Sequence, residues 1–162
     1  MAMIEIACET GDRISVPGDS LEGVSLEGMN LHRALLDRAN LRGANLSDAS
    51  LRSAWLEGAV LDGAVLRNTN LAAVNASDAS FVNASCENAF MRAGVYRQAK
   101  FDGACLFGAD MGGSDFRNAS FRSTDLRNAD LADANLDGTT FDTATVWPTG
   151  FDPLAAGATL IT

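Results

Sequence analysis

Proline is missing from the body of this chain. None lies between Val24 and Val146, while Pro17, Pro148 and Pro153 flank that stretch. So long a gap suits a fold in which nearly every backbone N–H is needed. Histidine occurs once, as His32, and cysteine three times, as Cys8, Cys86 and Cys105 with no short spacing. One histidine and scattered cysteines exclude the usual zinc sites. An odd cysteine count argues against a disulfide framework and for a reducing compartment, the cytoplasm. No apolar run approaches twenty residues, so nothing reads as a membrane span. The N-terminal stretch has Glu5 inside its only apolar segment and no basic start, which makes a poor secretory signal. Basic residues are also short in supply, 12 against 21 acids, for a net charge of −9. That balance disfavours direct binding of nucleic acid or an anionic membrane and favours a basic protein partner.

What the chain has is a period of five. Every fifth residue from Leu21 to Val146 is a core-type residue: fifteen Leu, five Phe, two Met, and Ala76, Cys86, Tyr96 and Val146. Two residues before these 26 centres the residue is usually small, Ala in seventeen cases. Neither an α-helix nor a strand has that period. The centre and the small residue two before it are expected to point inward, and the other three positions, mostly Asp, Asn, Ser, Arg and Gly, to face water. Nine of the fifteen glycines fall two after a centre, where a chain turning a corner wants φ freedom. The period alone gives a solenoid.

Four stretches add a signature. Residues 39–43 (Ala39, Asn40, Leu41, Arg42, Gly43), 44–48, 129–133 and 134–138 read A-[DN]-L-x-x. This closely resembles the pentapeptide-repeat family, over about four-fifths of the chain. The resemblance implies an all-β fold, a right-handed quadrilateral parallel β-helix in which four fives make one coil. It then predicts about six and a half coils over residues 21–146, an N-terminal cap over 1–20 and a C-terminal cap or tail over 147–162. Residues twenty apart should stack. One column becomes Leu21, Leu41, Leu61, Phe81, Phe101, Phe121 and Phe141, and another sets the small Ala76 directly beneath Tyr96, as volume compensation requires.

Chemistry is sparse. His32 falls one after a centre, on the surface. The glycine-rich run 107–113 lacks a phosphate-loop lysine, and its glycines read as coil corners. No catalytic residue, cofactor or metal is expected, and the protein reads as a non-enzymatic interaction scaffold. Two surfaces stand out. Leu35, Trp55 and Val95 share an outward column, interrupted by Asn75, and Val60 continues around the Trp55 coil. This apolar patch is either a docking site or the seat of a terminal segment. Asp110, Asp115, Asp130, Asp133 and Asp137 crowd the C-terminal coils, with Asp110 directly below Asp130. The outward column Glu22, Arg42, Asp62, Val82, Asp102, Arg122, Asp142 alternates in sign, which predicts cross-strand ion pairs.

The family resemblance implies one more reading, since some members imitate duplex DNA in the DNA site of gyrase and related type II topoisomerases. A rod of about 31 Å matches DNA carrying about 18 phosphates. Residues 21–146 have a net charge of only −5 (sixteen acids, eleven bases), which is poor for mimicry along the whole rod. Residues 101–146 concentrate the same −5 (eight acids, three bases). Local mimicry, by a protein that binds and protects gyrase through these acidic coils, is therefore the alternative. End-to-end pairing into a homodimer through the C-terminus would lengthen the acidic stretch.

Overall fold

The first residues pair with each other. In the computed structural model, which describes residues 1–162, β1 (Met3–Ala7) and β2 (Arg13–Pro17) form an antiparallel hairpin with Ile4 opposite Val16 and Ile6 opposite Ile14. Ile6 and Val16 are buried against the body. The hairpin is tied to the first coil by an antiparallel bridge between Cys8 and Ala34, with Leu35 N–H donating to Ala7 C=O at 2.8 Å.

From there the chain winds as a four-sided parallel β-helix. Each outward residue just before a centre bridges its counterpart twenty residues on, from Ser25 and Asn45 through Ser120 and Thr140. Four columns result, led by Ser25, Asn30, Leu35 and Asn40, and we call these the first to fourth sides. The bonding rule repeats. A centre donates upward, as Leu46 N–H does to Val65 C=O (2.7 Å), and an outward residue donates downward, as Val65 N–H does to Ala44 C=O (2.9 Å). Between sides the chain turns, with the N–H three after a centre returning to the centre's carbonyl, as Ala44 to Leu41 at 3.1 Å. The residue two after each centre from Leu21 to Leu136 has positive φ, as the third residue of a type II turn requires. Glycine takes it without steric cost, and Asn and Asp tolerate it better than other residues.

The consensus Asn or Asp before each centre has a second task. Its Oδ1 accepts the N–H two residues on, as in Ser47 to Asn45 (3.1 Å), Ala72 to Asn70 (3.0 Å) and Ala132 to Asp130 (2.9 Å). That N–H belongs to the first corner residue, which the ladder leaves unpaired. Either residue type supplies the oxygen, so Asn and Asp interchange in the repeat.

Inside, the twenty-residue stacking holds. Phe81 stacks on Phe101 (centroids 4.8 Å apart, 6° between planes), Phe101 on Phe121 (5.3 Å, 9°) and Tyr96 on Phe116 (5.0 Å, 9°). Tyr96 is accommodated by two small residues rather than one. Its hydroxyl passes over Ala76 to donate to Leu71 C=O at 3.2 Å, and a Cβ on Gly94 would collide with its ring. Three corner carbonyls, those of Leu71, Met91 and Phe121, lack the usual turn N–H. Hydroxyls from the next coil replace it: Tyr96 Oη, Ser114 Oγ (2.5 Å) and Thr145 Oγ1 (2.7 Å).

Two expectations are corrected. The period does not run to Val146, which is 44% exposed and bridges Asp125, twenty-one residues back. A six-residue step separates Phe141 from the next inward residue, Trp147, whose ring meets Phe121 and Phe141 edge-on (5.9 and 5.4 Å). Asp142 holds the extra residue by accepting from Ala144 N–H and Ser123 N–H. Trp147 stacks on Phe151, and β4 (Thr159–Leu160) pairs in parallel with β3 (Thr140–Phe141). The second correction is that the sign-alternating column makes no ion pairs along itself. Asp62 and Asp102 instead accept Val82 N–H and Arg122 N–H, both at 3.1 Å, because Ser80 and Ser120 stand where Asn or Asp caps corners such as those after Asn45, Asn70 and Asp130. An unpaired N–H captured a carboxylate that the charge pattern had assigned to an arginine.

The packed interior fixes two expected outcomes. Ala44→Leu or Ala64→Leu should lower stability by about 1–3 kcal/mol in urea denaturation through overpacking; an unchanged midpoint would contradict the inward placement. Gly94→Ala should cost about 1–3 kcal/mol in the parent, yet close to nothing when Tyr96→Leu has already removed the ring it strikes.

Candidate functional site

The third side carries the apolar column. Leu35 bridges Trp55, Trp55 bridges Asn75 and Asn75 bridges Val95. Leu35 is 46% and Trp55 38% exposed, and Val95 is half-buried. Val60 does not join them: it lies on the fourth side, between Asn40 and Ser80. The corner beside the column is lined by small residues, Ser53, Ala73 and Ala93, so the surface dips there into a groove of about 250 Å³. Trp55 and Val95 form one flank, and Glu9 and Arg33 close the N-terminal end.

Glu9 belongs to the turn between β1 and β2, and its N–H donates to Arg33 C=O at 2.9 Å. One carboxylate oxygen, Oε2, accepts from Trp55 Nε1 at 3.3 Å and from Arg33 Nε at 3.1 Å. These donors, the indole foremost, hold the carboxyl below its ordinary pKa. The hairpin thus fastens the polar edge of the indole and leaves part of the side chain open. Nothing in the sequence pairs Glu9 with Trp55, 46 residues away. Only the cap's docking brings them together.

The acidic set divides. Asp110 and Asp130 are vertical neighbours on the second side, but Arg92 spans them, with Nη1 3.0 Å from one and 3.7 Å from the other. Its guanidinium lies against Gly112, where a Cβ would come within 2.8 Å of Nη1. Gly108 and Gly113 are the expected corners with positive φ, while Gly112 makes room for an arginine. On the third side Asp115 binds Arg97 (2.6 Å) and Arg117 (2.8 Å), and Arg117, then Arg97, holds its carboxyl well below the usual carboxylate range against the opposing effect of burial. Asp133 and Asp137 have no cation within ion-pair distance. Four outward carboxylates of this region, Asp110, Asp115, Asp125 and Asp130, also cap the N–H two residues on.

Reactive groups are placed inertly. Cys86 is fully buried, and burial pushes both its thiol and that of Cys105 upward. A thiol held protonated is a poor nucleophile. No three His, Cys, Asp or Glu side chains are gathered so that they could hold a metal, and no helix is long and apolar enough to cross a membrane.

Asp115 sets a pH dependence. A carboxyl whose folded pKa is depressed stabilises the fold above its unfolded value, near 4, and loses that contribution as pH falls toward the folded value. The urea midpoint should therefore drop between pH 5 and pH 3. Asp115→Asn keeps the backbone cap and loses the ion pairs, so its drop should be shallower; equal slopes would remove Asp115 from the acid response.

Residues 20–52, 44–81, 59–94 and 104–142 match the pentapeptide repeats, in 8 copies. The fold is similar to that of alr5209, a pentapeptide repeat protein from Nostoc Pcc 7120, with 28% identity and a TM-score of 0.57 over 76% of this chain and 86% of that one. HetL, a pentapeptide repeat protein involved in heterocyst differentiation regulation from Nostoc sp. Strain PCC 7120, is 23% identical, with a TM-score of 0.39 over 74% of this chain and 70% of its own. Trypsin-treated QnrB1, a plasmid-mediated fluoroquinolone resistance protein, is 15% identical, with a TM-score of 0.47 over 85% and 90%. No curated protein matches the chain. With its repeats matched over more than half its length and its backbone wound as a four-sided parallel β-helix, the chain belongs to the pentapeptide-repeat family.

Proposed function

We propose that this protein is a non-enzymatic scaffold that binds a protein partner on its third side, through Leu35, Trp55 and Val95. One observation carries the reading: a part-exposed tryptophan, pinned by Glu9 at its indole N–H, stands beside a groove in a column with exposed Leu35 and half-buried Val95. Tryptophan anchors are common at interface centres. A side chain already held in one orientation gives up less freedom on binding. The flat ladder on which it stands is rigid, because its bridges continue through the coils on both sides. The free thiols Cys8, Cys86 and Cys105 suit a reducing compartment, and we assign the scaffold to the cytoplasm on that ground.

Local DNA mimicry, with gyrase as partner, is the weaker reading. Duplex phosphates offer free anionic oxygens, whereas Asp110 and Asp115 are occupied by Arg92, Arg97 and Arg117, and Asp130 is reached only loosely by Arg92 at 3.7 Å. Their oxygens are further committed to backbone caps that asparagine would serve as well. Much of the acidity of the C-terminal coils is thus explained by folding.

Affinity capture from a native lysate tests the scaffold. Trp55→Ala should weaken retention of the partner by about 2 kcal/mol or more, roughly 30-fold, while Val60→Ala on the neighbouring side should leave it intact. Retention by Trp55→Ala equal to the parent's would reject the third side as the binding surface.

A further inference from the structure

The four sides of the last coil are closed to different extents. At the C-terminal end two sides are covered. Val146 lies over Asp125 on the first side, donating to Thr124 C=O (3.0 Å) and accepting from Leu126 N–H (2.7 Å). β4 lies over β3 on the fourth side. The second and third sides have no such cover. There the N–H groups of Leu131 and Leu136 and the C=O groups of Ala129 and Ala134 have no hydrogen-bond partner in the protein. They repeat the donor and acceptor arrangement that Val146 fills one side earlier. A single extended residue above Asp130 could donate to Ala129 C=O and accept from Leu131 N–H. Beside this edge lies a groove of about 310 Å³, walled by Ala129, Leu131 and Ala132 on one side and by Pro148 and Phe151 of the tail on the other.

Charge decides what can sit there. Asp130, Asp133 and Asp137 rim the edge, and no lysine or arginine follows Arg127 in the chain. Asp130 is 54% exposed at its side chain, with Arg92 no closer than 3.7 Å. A second copy stacked end to end would set the same three carboxylates against themselves, and like charges opposite each other destabilise a strand pair. A strand with lysine or arginine at its outward positions would be attracted instead. Edge addition of this kind takes affinity from backbone hydrogen bonds and selectivity from alternate side chains.

We propose that the open edge of the last coil, residues 129–131 and 134–136, takes up an extended, lysine- or arginine-rich segment of a partner protein as an added strand. The site is separate from the Trp55 surface and stands or falls without it.

Fluorescence anisotropy with a labelled peptide of alternating lysine and valine tests this on the full-length protein. Binding should weaken at least tenfold for three changes: glutamate in place of the peptide's lysines, N-methylation of alternate peptide amides, and the protein variant Asp130→Asn, Asp133→Asn, Asp137→Asn. The asparagines keep the Ala132 cap and tolerate the corner φ, and circular dichroism checks that the variant is folded. Trp55→Ala should bind the peptide as the parent does, which separates this site from the scaffold surface. Full binding by the N-methylated peptide would show charge attraction without strand addition and overturn the proposal. So would full binding by the triple variant, no binding by the parent, or a parent dimer in light scattering that the peptide cannot dissociate.

Discussion

The whole molecule rests on the return of the backbone to the same place every twenty residues. Within the body each inward centre donates to the coil above and each outward residue to the coil below, so most residues of a coil depend on two neighbours at once. A change of one residue anywhere inside would shift every later side chain out of its column. That is why proline is absent from the body and why the one extra residue, in the step from Phe141 to Trp147, falls where only the closing covers of the last coil remain to be built. The lumen makes the same demand in volume. Alanine two before a centre leaves room for a leucine or phenylalanine, and the exceptions are compensated nearby, as Gly94 and Ala76 are for Tyr96.

Hydrogen bonding also explains much of what first looks like function. The corner N–H outside the ladder needs an oxygen, and an Asn or Asp just before the centre supplies it. At Ser80 and Ser120, and at Trp55, a carboxylate from the coil below moves in, as Asp62, Asp102 and Asp37 do. Several aspartates are thus constrained by backbone chemistry before any partner is considered. Arginines then settle over them, Arg92 across two coils and Arg97 with Arg117 on one carboxylate. Such surface pairs contribute little stability individually, but they decide which acids remain free to meet another molecule.

What remains after that subtraction is unevenly placed. The third side has a fastened tryptophan and a groove near the N-terminal cap. The last coil has unpaired backbone groups, and its carboxylates Asp133 and Asp137 meet no arginine. Both places lie where the repeat meets a cap. Within the body, repetition satisfies nearly every group; at the caps the rule is interrupted, and unsatisfied chemistry collects there.

The sequence by itself determined the solenoid, the inward positions, the stacking of Phe81, Phe101 and Phe121, and the column that joins Leu35 to Trp55 and Val95. The solenoid and the inward positions follow from the period of five, which is visible in one dimension, and the twenty-residue columns follow from the family resemblance, which sets four fives to a coil. Contacts outside the period were decided by the tertiary structure. Glu9 reaches Trp55 only because the hairpin docks on the third side, and Val60 leaves the patch because a corner stands between them. The fate of the charges was hidden for the same reason. An aspartate's partner is whichever donor lies nearest in space, and the backbone N–H and the arginine competing for it are told apart only by the geometry of the corner.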